Sequence, residues 1–73
     1  LFPSLSSLAT ADSMPTAQET ENLKRVLTSM GCKGGHMEKE EDGTFEVEDT
    51  KCSDGKFDIE FDAQFAVIEK DRD

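Results

Sequence analysis

Two hydrophobic periods divide the chain. Leu23, Val26, Leu27 and Met30 recur at helical spacing and form one apolar stripe. Ahead of them, Thr16-Ala17-Gln18-Glu19 has the S/T-x-x-E form of a capping box. Glu19 and Glu21 fall in the first turns, where the helix dipole favours anions. Gly31 stands at the C′ position, where a left-handed residue ends a helix. This spacing predicts a helix over 17–30. Beyond Gly31 the period drops to two. Met37, Phe45, Val47, Phe57, Ile59, Phe61, Phe65 and Val67 are all odd-numbered, and the even positions between them are mostly polar. That alternation belongs to an antiparallel sheet with one dry face. Glu41-Asp42-Gly43 and Ser53-Asp54-Gly55 are turn signals, and Asp62-Ala63-Gln64 is a weaker third. Four strands are predicted, near 35–40, 44–51, 56–61 and 65–70.

Parity then sets the register. A two-residue turn pairs odd positions with even ones and would split the apolar set between faces. Three-residue loops at 41–43, 53–55 and 62–64 avoid this. In that register Met37 faces Val47, Phe61 faces Val47, Ile59 faces Asp49, Phe65 faces Phe61 and Val67 faces Ile59. Every large apolar side chain of the sheet except Ile68 shares one face, and the helix stripe covers it. The predicted fold class is α+β: one N-terminal helix packed on a four-stranded antiparallel meander sheet. If the first strand extends back to Cys32 with no one-residue bulge at Gly34-Gly35, the same register makes Cys32 and Cys52 cross-strand neighbours where the first hairpin opens. A disulfide there closes a loop of about 20 residues and contributes roughly 3 kcal/mol in the chain-entropy model.

Composition narrows the function. The 73 residues and 8.1 kDa allow one domain. Seventeen acids against eight bases give a net charge of -9 and a pI near 4.4. A phosphate backbone needs a basic footprint, so a generic nucleic-acid binder is excluded. No apolar run reaches the ~20 residues of a membrane span, so no stable membrane insertion is expected. Leu1 to Ala11 holds no Asp, Glu, Lys or Arg and closes on Ala9-Thr10-Ala11, a small-x-small pattern. Residues 1–15 therefore read as a signal-peptide remnant or a disordered N-terminal arm, and 16–73 as the folded domain. As an arm, Leu1, Phe2, Leu5 and Leu8 offer apolar contacts for a sheet edge or for self-association. Two cysteines in so small a domain fit an oxidising compartment, so the expected location is secreted or periplasmic.

The helix ending in Gly31, the hairpin around Asp42-Gly43 followed by Phe45-Glu46-Val47, Asp54-Gly55-Lys56 opening a strand and Asp62 closing it together resemble a PepSY-type domain. The resemblance spans roughly 16–73. It implies an extracytoplasmic protein without catalytic residues that binds and restrains other proteins. Such domains occur in the propeptides of thermolysin-type peptidases and in small stand-alone secreted proteins. No peptidase domain is present here, so restraint of a peptidase would act in trans.

Little else in the chain carries catalytic chemistry. Cys32 and His36 are four residues apart, about 13 Å along a strand and too far for a dyad. Cys32, His36 and Cys52 match no standard zinc spacing. Neither a catalytic residue, a metal ligand set nor a cofactor is expected. The acids are the more informative residues. The outer, even-numbered face is predicted to carry Glu38, Glu46, Glu48, Asp58, Glu60 and Asp62, with Glu38 opposite Glu46, Glu46 opposite Asp62 and Glu48 opposite Glu60. Like charges directly opposite destabilise a sheet. Only His36 and Lys56 offer relief on this face, with Lys39, Lys51 and Lys70 nearer its edges. A solvated face is the plain reading. The preferred functional reading is a non-enzymatic binding module whose acidic face docks on a protein partner, an exported peptidase or another basic surface. The alternative is a divalent cation such as calcium held by the same carboxylates. An EF-hand loop is rejected, because the candidate from Glu38 to Asp49 begins on Glu, ends on Asp and lies in a hairpin.

Overall fold

A computed structural model of the chain describes residues 13–73. The helix α1 runs over Ala17–Ser29. Its capping box is formed: the Glu19 N–H donates to Thr16 Oγ1 at 3.1 Å, and the Thr16 N–H donates to Glu19 Oε1 at 2.9 Å. Gly31, at φ 79°, ends the helix in the left-handed region as its position predicts. Leu23 and Leu27 are fully buried against the sheet, with Val26 and Met30 packed beside them.

The sheet is antiparallel throughout: β1 Cys32–Lys33, β2 His36–Lys39, β3 Phe45–Cys52, β4 Gly55–Phe61 and β5 Val67–Arg72. It is the expected meander with its first strand cut in two. Both β1 and β2 pair with β3, and Gly34-Gly35 interrupts them. Across this first hairpin the predicted register is the observed one, with Met37 opposite Val47, Glu38 opposite Glu46 and Cys32 opposite Cys52. The disulfide joins Cys32 to Cys52. It ties the chain just after α1 to the end of β3.

The second hairpin corrects the sequence expectation. Phe61 lies opposite Phe45 rather than Val47, and Ile59 opposite Val47 rather than Asp49. The turn holds two residues, Ser53 and Asp54, because Cys52 pairs directly with Gly55. Near the turn odd therefore meets even, as in Lys51 opposite Lys56 and Thr50 opposite Phe57. A bulge at Glu48-Asp49 inserts one residue and restores the match. Asp49 takes φ 59°, and its N–H donates to Asp58 Oδ1 at 2.9 Å. Thr50 is turned into the core by this shift, where its hydroxyl has no hydrogen-bond partner among the described residues.

The third connection departs further. The expected strand over 65–70 begins instead at Val67, which faces Phe61, while Ile59 faces Lys70 and Phe57 faces Arg72. Asp62 causes the delay. Its Oδ1 accepts from the N–H groups of Gln64 at 2.8 Å and Ala66 at 3.0 Å, so it caps a longer turn. Phe65 leaves the strand at φ 68° and stacks on Phe45 with ring centroids 5.1 Å apart. It joins the core from the turn. The remaining core is Leu23, Leu27, Phe45, Val47, Phe57, Ile59 and Phe61, with Cys32 at its end. Lys39 shares this face, its Nζ 5.8 Å from the Phe45 ring centroid and 2.9 Å from Glu19 Oε2, so it clamps the start of α1 to β2.

Ser13, within the 1–15 segment read as a signal-peptide remnant or a disordered arm, exchanges two backbone hydrogen bonds with Lys39 at the edge of β2. The apolar arm with Leu1, Phe2, Leu5 and Leu8, and the choice between signal remnant and disordered arm, lie outside the described residues.

Gly35 is the backbone position least tolerant of change. At φ +109°, an added Cβ would sit 2.7 Å from the Glu48 carbonyl oxygen and 2.9 Å from Val47 Cγ1. Gly35→Ala is expected to lower stability by about 1–3 kcal/mol in urea unfolding, more than Gly34→Ala, whose new methyl would meet open space. Replacing both Cys32 and Cys52 by Ala should lower stability by roughly 3 kcal/mol in the same assay.

Candidate functional site

The outer face of the sheet carries its charges in rows. Because paired residues project to the same side, the register puts Glu38, Glu46, Glu60 and Glu69 in one line across β2, β3, β4 and β5. Neighbouring members are about 4.8 Å apart at the backbone. Beside it, His36 faces Glu48 on one side of the bulge and Asp58 faces Asp71 on the other. At the disulfide end, Lys33, Lys51 and Lys56 form a third row across β1, β3 and β4. The face is therefore zoned, acidic over most of its length and basic at one end.

Of the predicted acidic residues, Glu38, Glu46, Glu48, Asp58 and Glu60 lie on this face, half-buried among one another. On the β4 side Glu46 faces Glu60 rather than Asp62, and Glu48 falls in the bulge rather than opposite Glu60, while its partner across β2 is His36, as the first-hairpin register implies. Asp62 is not in the rows, because its carboxylate is occupied in the turn after β4. Glu69 and Asp71 were not among the expected residues, and neither was the lysine row. The alternation Glu69-Lys70-Asp71-Arg72 held the signal for the first two: one sign on each face of a strand. The lysine row was hidden, since Lys51 and Lys56 align only through a two-residue turn.

Crowding is written into the carboxyls. Burial pushes the Glu46 carboxyl up to about 7, and the charge of Glu48, a hydrogen bond with Glu40 and the charges of Glu40 and Glu38 add to it. The Glu69 carboxyl is raised by its hydrogen bond and charge contact with Asp71, then by burial and by Glu60. Asp73 is raised in the same way by Asp49, then by burial and Asp58, with Lys56 opposing. Two groups of three carboxylates each bring an oxygen within 4.8 Å of the others: Glu38, Glu46 and Glu48, and Asp49, Asp58 and Asp73. His36 Nε2 lies 3.1 Å from Glu38 Oε2. These groups can accept hydrogen bonds, pair with cations or hold a proton between them. Neither cysteine offers a thiol, since both are in the disulfide. Shallow hollows flank that bond, lined by Lys24, Lys33 and Lys51 with Thr28 and Ser53.

No protein-family model, curated protein or solved structure matches this chain.

The Glu46 shift fixes a pH dependence. Its folded carboxyl titrates above its unfolded value, so between about pH 4.5 and 7 the folded state binds more protons, and stability falls as pH rises through that window. Glu19 and Asp42 are held below the ordinary carboxylate range, Glu19 chiefly by its cap hydrogen bond at Thr16 and Asp42 by hydrogen bonds from Thr44. Their contribution is lost only as pH falls through their lowered values. Urea midpoints should therefore be highest at about pH 4.5, where the Glu46 contribution is still intact. Glu46→Gln should flatten the decline from there to pH 7, whereas Glu41→Gln, outside the rows, should leave it in place.

Proposed function

We propose that this chain is a non-enzymatic, exported, PepSY-like binding module whose acidic sheet face docks on a basic surface of a protein partner and restrains it. An exported peptidase is one such partner. The observation that carries the reading is the line of four glutamates across four strands, with the Glu46 carboxyl pushed up to about 7. A face that opposes its own full ionisation gains stability from any cationic surface placed against it. The zoning adds orientation, because the lysine row repels a basic partner and so fixes which end it covers. Export is supported by the closed disulfide, which a reducing cytosol would open. Among the described residues no helix is long and apolar enough to cross a membrane. The resemblance of residues 16–73 to PepSY-type domains supports the restraining role.

A divalent cation is the second reading, favoured by the three oxygens of Glu38, Glu46 and Glu48 within 4.8 Å of one another. An all-oxygen donor set of this kind suits calcium.

Two titrations followed by amide NMR separate these readings. With a basic exported peptidase of the thermolysin type, shifts should map to the glutamate rows, and binding should weaken as pH falls below 7 and Glu46 takes up its proton. Reversing charge in Glu46→Lys/Glu48→Lys should weaken binding by at least about tenfold. Unchanged binding by that variant overturns the docking face. With calcium, saturable shifts confined to Glu38, Glu46 and Glu48 and a raised Tm would establish the cation reading instead. Weak, diffuse shifts that vanish at physiological salt would dismiss it.

A further inference from the structure

The acidic face ends on an open strand. Among the described residues nothing pairs with the far side of β5, and all six of its residues are exposed. The direction of its free backbone groups follows from one hydrogen bond. The Asp73 N–H donates to the Lys56 carbonyl at 2.8 Å. Antiparallel ladders alternate, so Asp71 and Glu69 also turn their backbone groups toward β4, while those of Lys70 and Arg72 face the open edge. The side chains of β5 are sorted as well. Glu69 and Asp71 continue the acidic rows, opposite Glu60 and Asp58. On the helix side, Lys70 and Arg72 lie over the Phe57 ring, 4.3 and 4.8 Å from its centroid. Val67 and Ile68 at the head of the strand are 43% and 54% exposed, two of the three large apolar side chains left open among the described residues.

We infer that the edge of β5 accepts an extended segment of the protein partner that alternates basic and apolar residues, adding a strand to the sheet. Its basic side chains lie beside Glu69 and Asp71, and its apolar ones cover Val67, Ile68 and the aliphatic stems of Lys70 and Arg72. Main-chain hydrogen bonds to Lys70 and Arg72 supply the pairing, and the charge rows choose the sequence.

A second copy of this chain does not fit the edge. Two antiparallel copies related by a two-fold axis normal to the sheet keep their faces aligned. Glu69 and Asp71 would then oppose each other or themselves, and like charges so placed destabilise a sheet. The edge is protected against itself and open to a cationic strand.

The inference rests on the docking reading of the acidic face, and the test separates the two. The probe is a capped hexapeptide alternating lysine and valine, titrated into the oxidised protein at low salt and followed by amide NMR. Saturable binding should slow hydrogen exchange of the Lys70 and Arg72 amides by at least about tenfold. The same residues in two blocks, or the alternating peptide with N-methyl groups along one edge, should bind at least about tenfold more weakly. Lys70→Pro removes one outward N–H at a position where an edge strand tolerates proline, and should abolish the protection of the Arg72 amide, while Lys70→Ala retains it. Equal binding by alternating and blocked peptides, with shifts confined to Glu38, Glu46 and Glu60, would overturn the edge and leave face docking standing. Absence of any shift would contradict both. Protection of Lys70 and Arg72 that grows with protein concentration alone would assign the edge to a second copy and overturn the inference.

Discussion

The structure depends on where one residue is inserted in β3. The turn at Ser53-Asp54 is too short by one to keep both hairpins in phase, and the bulge at Glu48-Asp49 makes up the difference. With it, Phe45 and Val47 face the helix together with Ile59 and Phe61. Without it, one half of β3 would turn its apolar residues to water. Gly35 lies against the same point from the other side, close enough to the Glu48 carbonyl that a side chain would not fit. The break between β1 and β2 and the bulge in β3 are thus two halves of one irregularity, flanking a residue that both neighbours must accommodate.

That irregularity also sorts the charges. Inserting Asp49 separates a stretch whose outward residues are Glu46 and Glu48 from one whose outward residue is Lys51. Glutamates from four strands gather at one end of the face and three lysines at the other. Hydrophobic burial by Leu23 and Leu27 and the Cys32–Cys52 link hold the sheet together while its outer face opposes itself. A small domain tolerates such a face because burying each large apolar side chain contributes about 1.5–3 kcal/mol, and Leu23, Leu27, Phe45, Val47, Ile59 and Phe61 are all buried.

Much of this was legible in the chain. The capping box at Thr16 and Glu19, the stop at Gly31, the odd-numbered apolar set and the first hairpin register all follow from local pattern, and the disulfide follows from that register. The other two connections were illegible for a physical reason. Parity shows that the faces must agree, but it does not distinguish a three-residue loop from a two-residue turn followed by a bulge. Likewise Asp62 has the same spelling on a strand face as in a turn, and only its hydrogen bonds to the Gln64 and Ala66 amides separate the two. The candidate site inherited these errors in part. The acidic face was visible from alternation, whereas its straight four-strand row and its extension through Glu69 and Asp71 needed the true register.

The most direct test is the microscopic titration of Glu46, followed through its side-chain carboxyl carbon by NMR in the oxidised protein at low salt. A midpoint of about 7 is expected, reflecting half-burial and the neighbouring Glu48, Glu40 and Glu38. Added salt or a bound cationic partner should lower that midpoint. A midpoint near the ordinary 4.5, unmoved by salt, would mean that the carboxylates are not packed into a row, and the docking face would lose its basis.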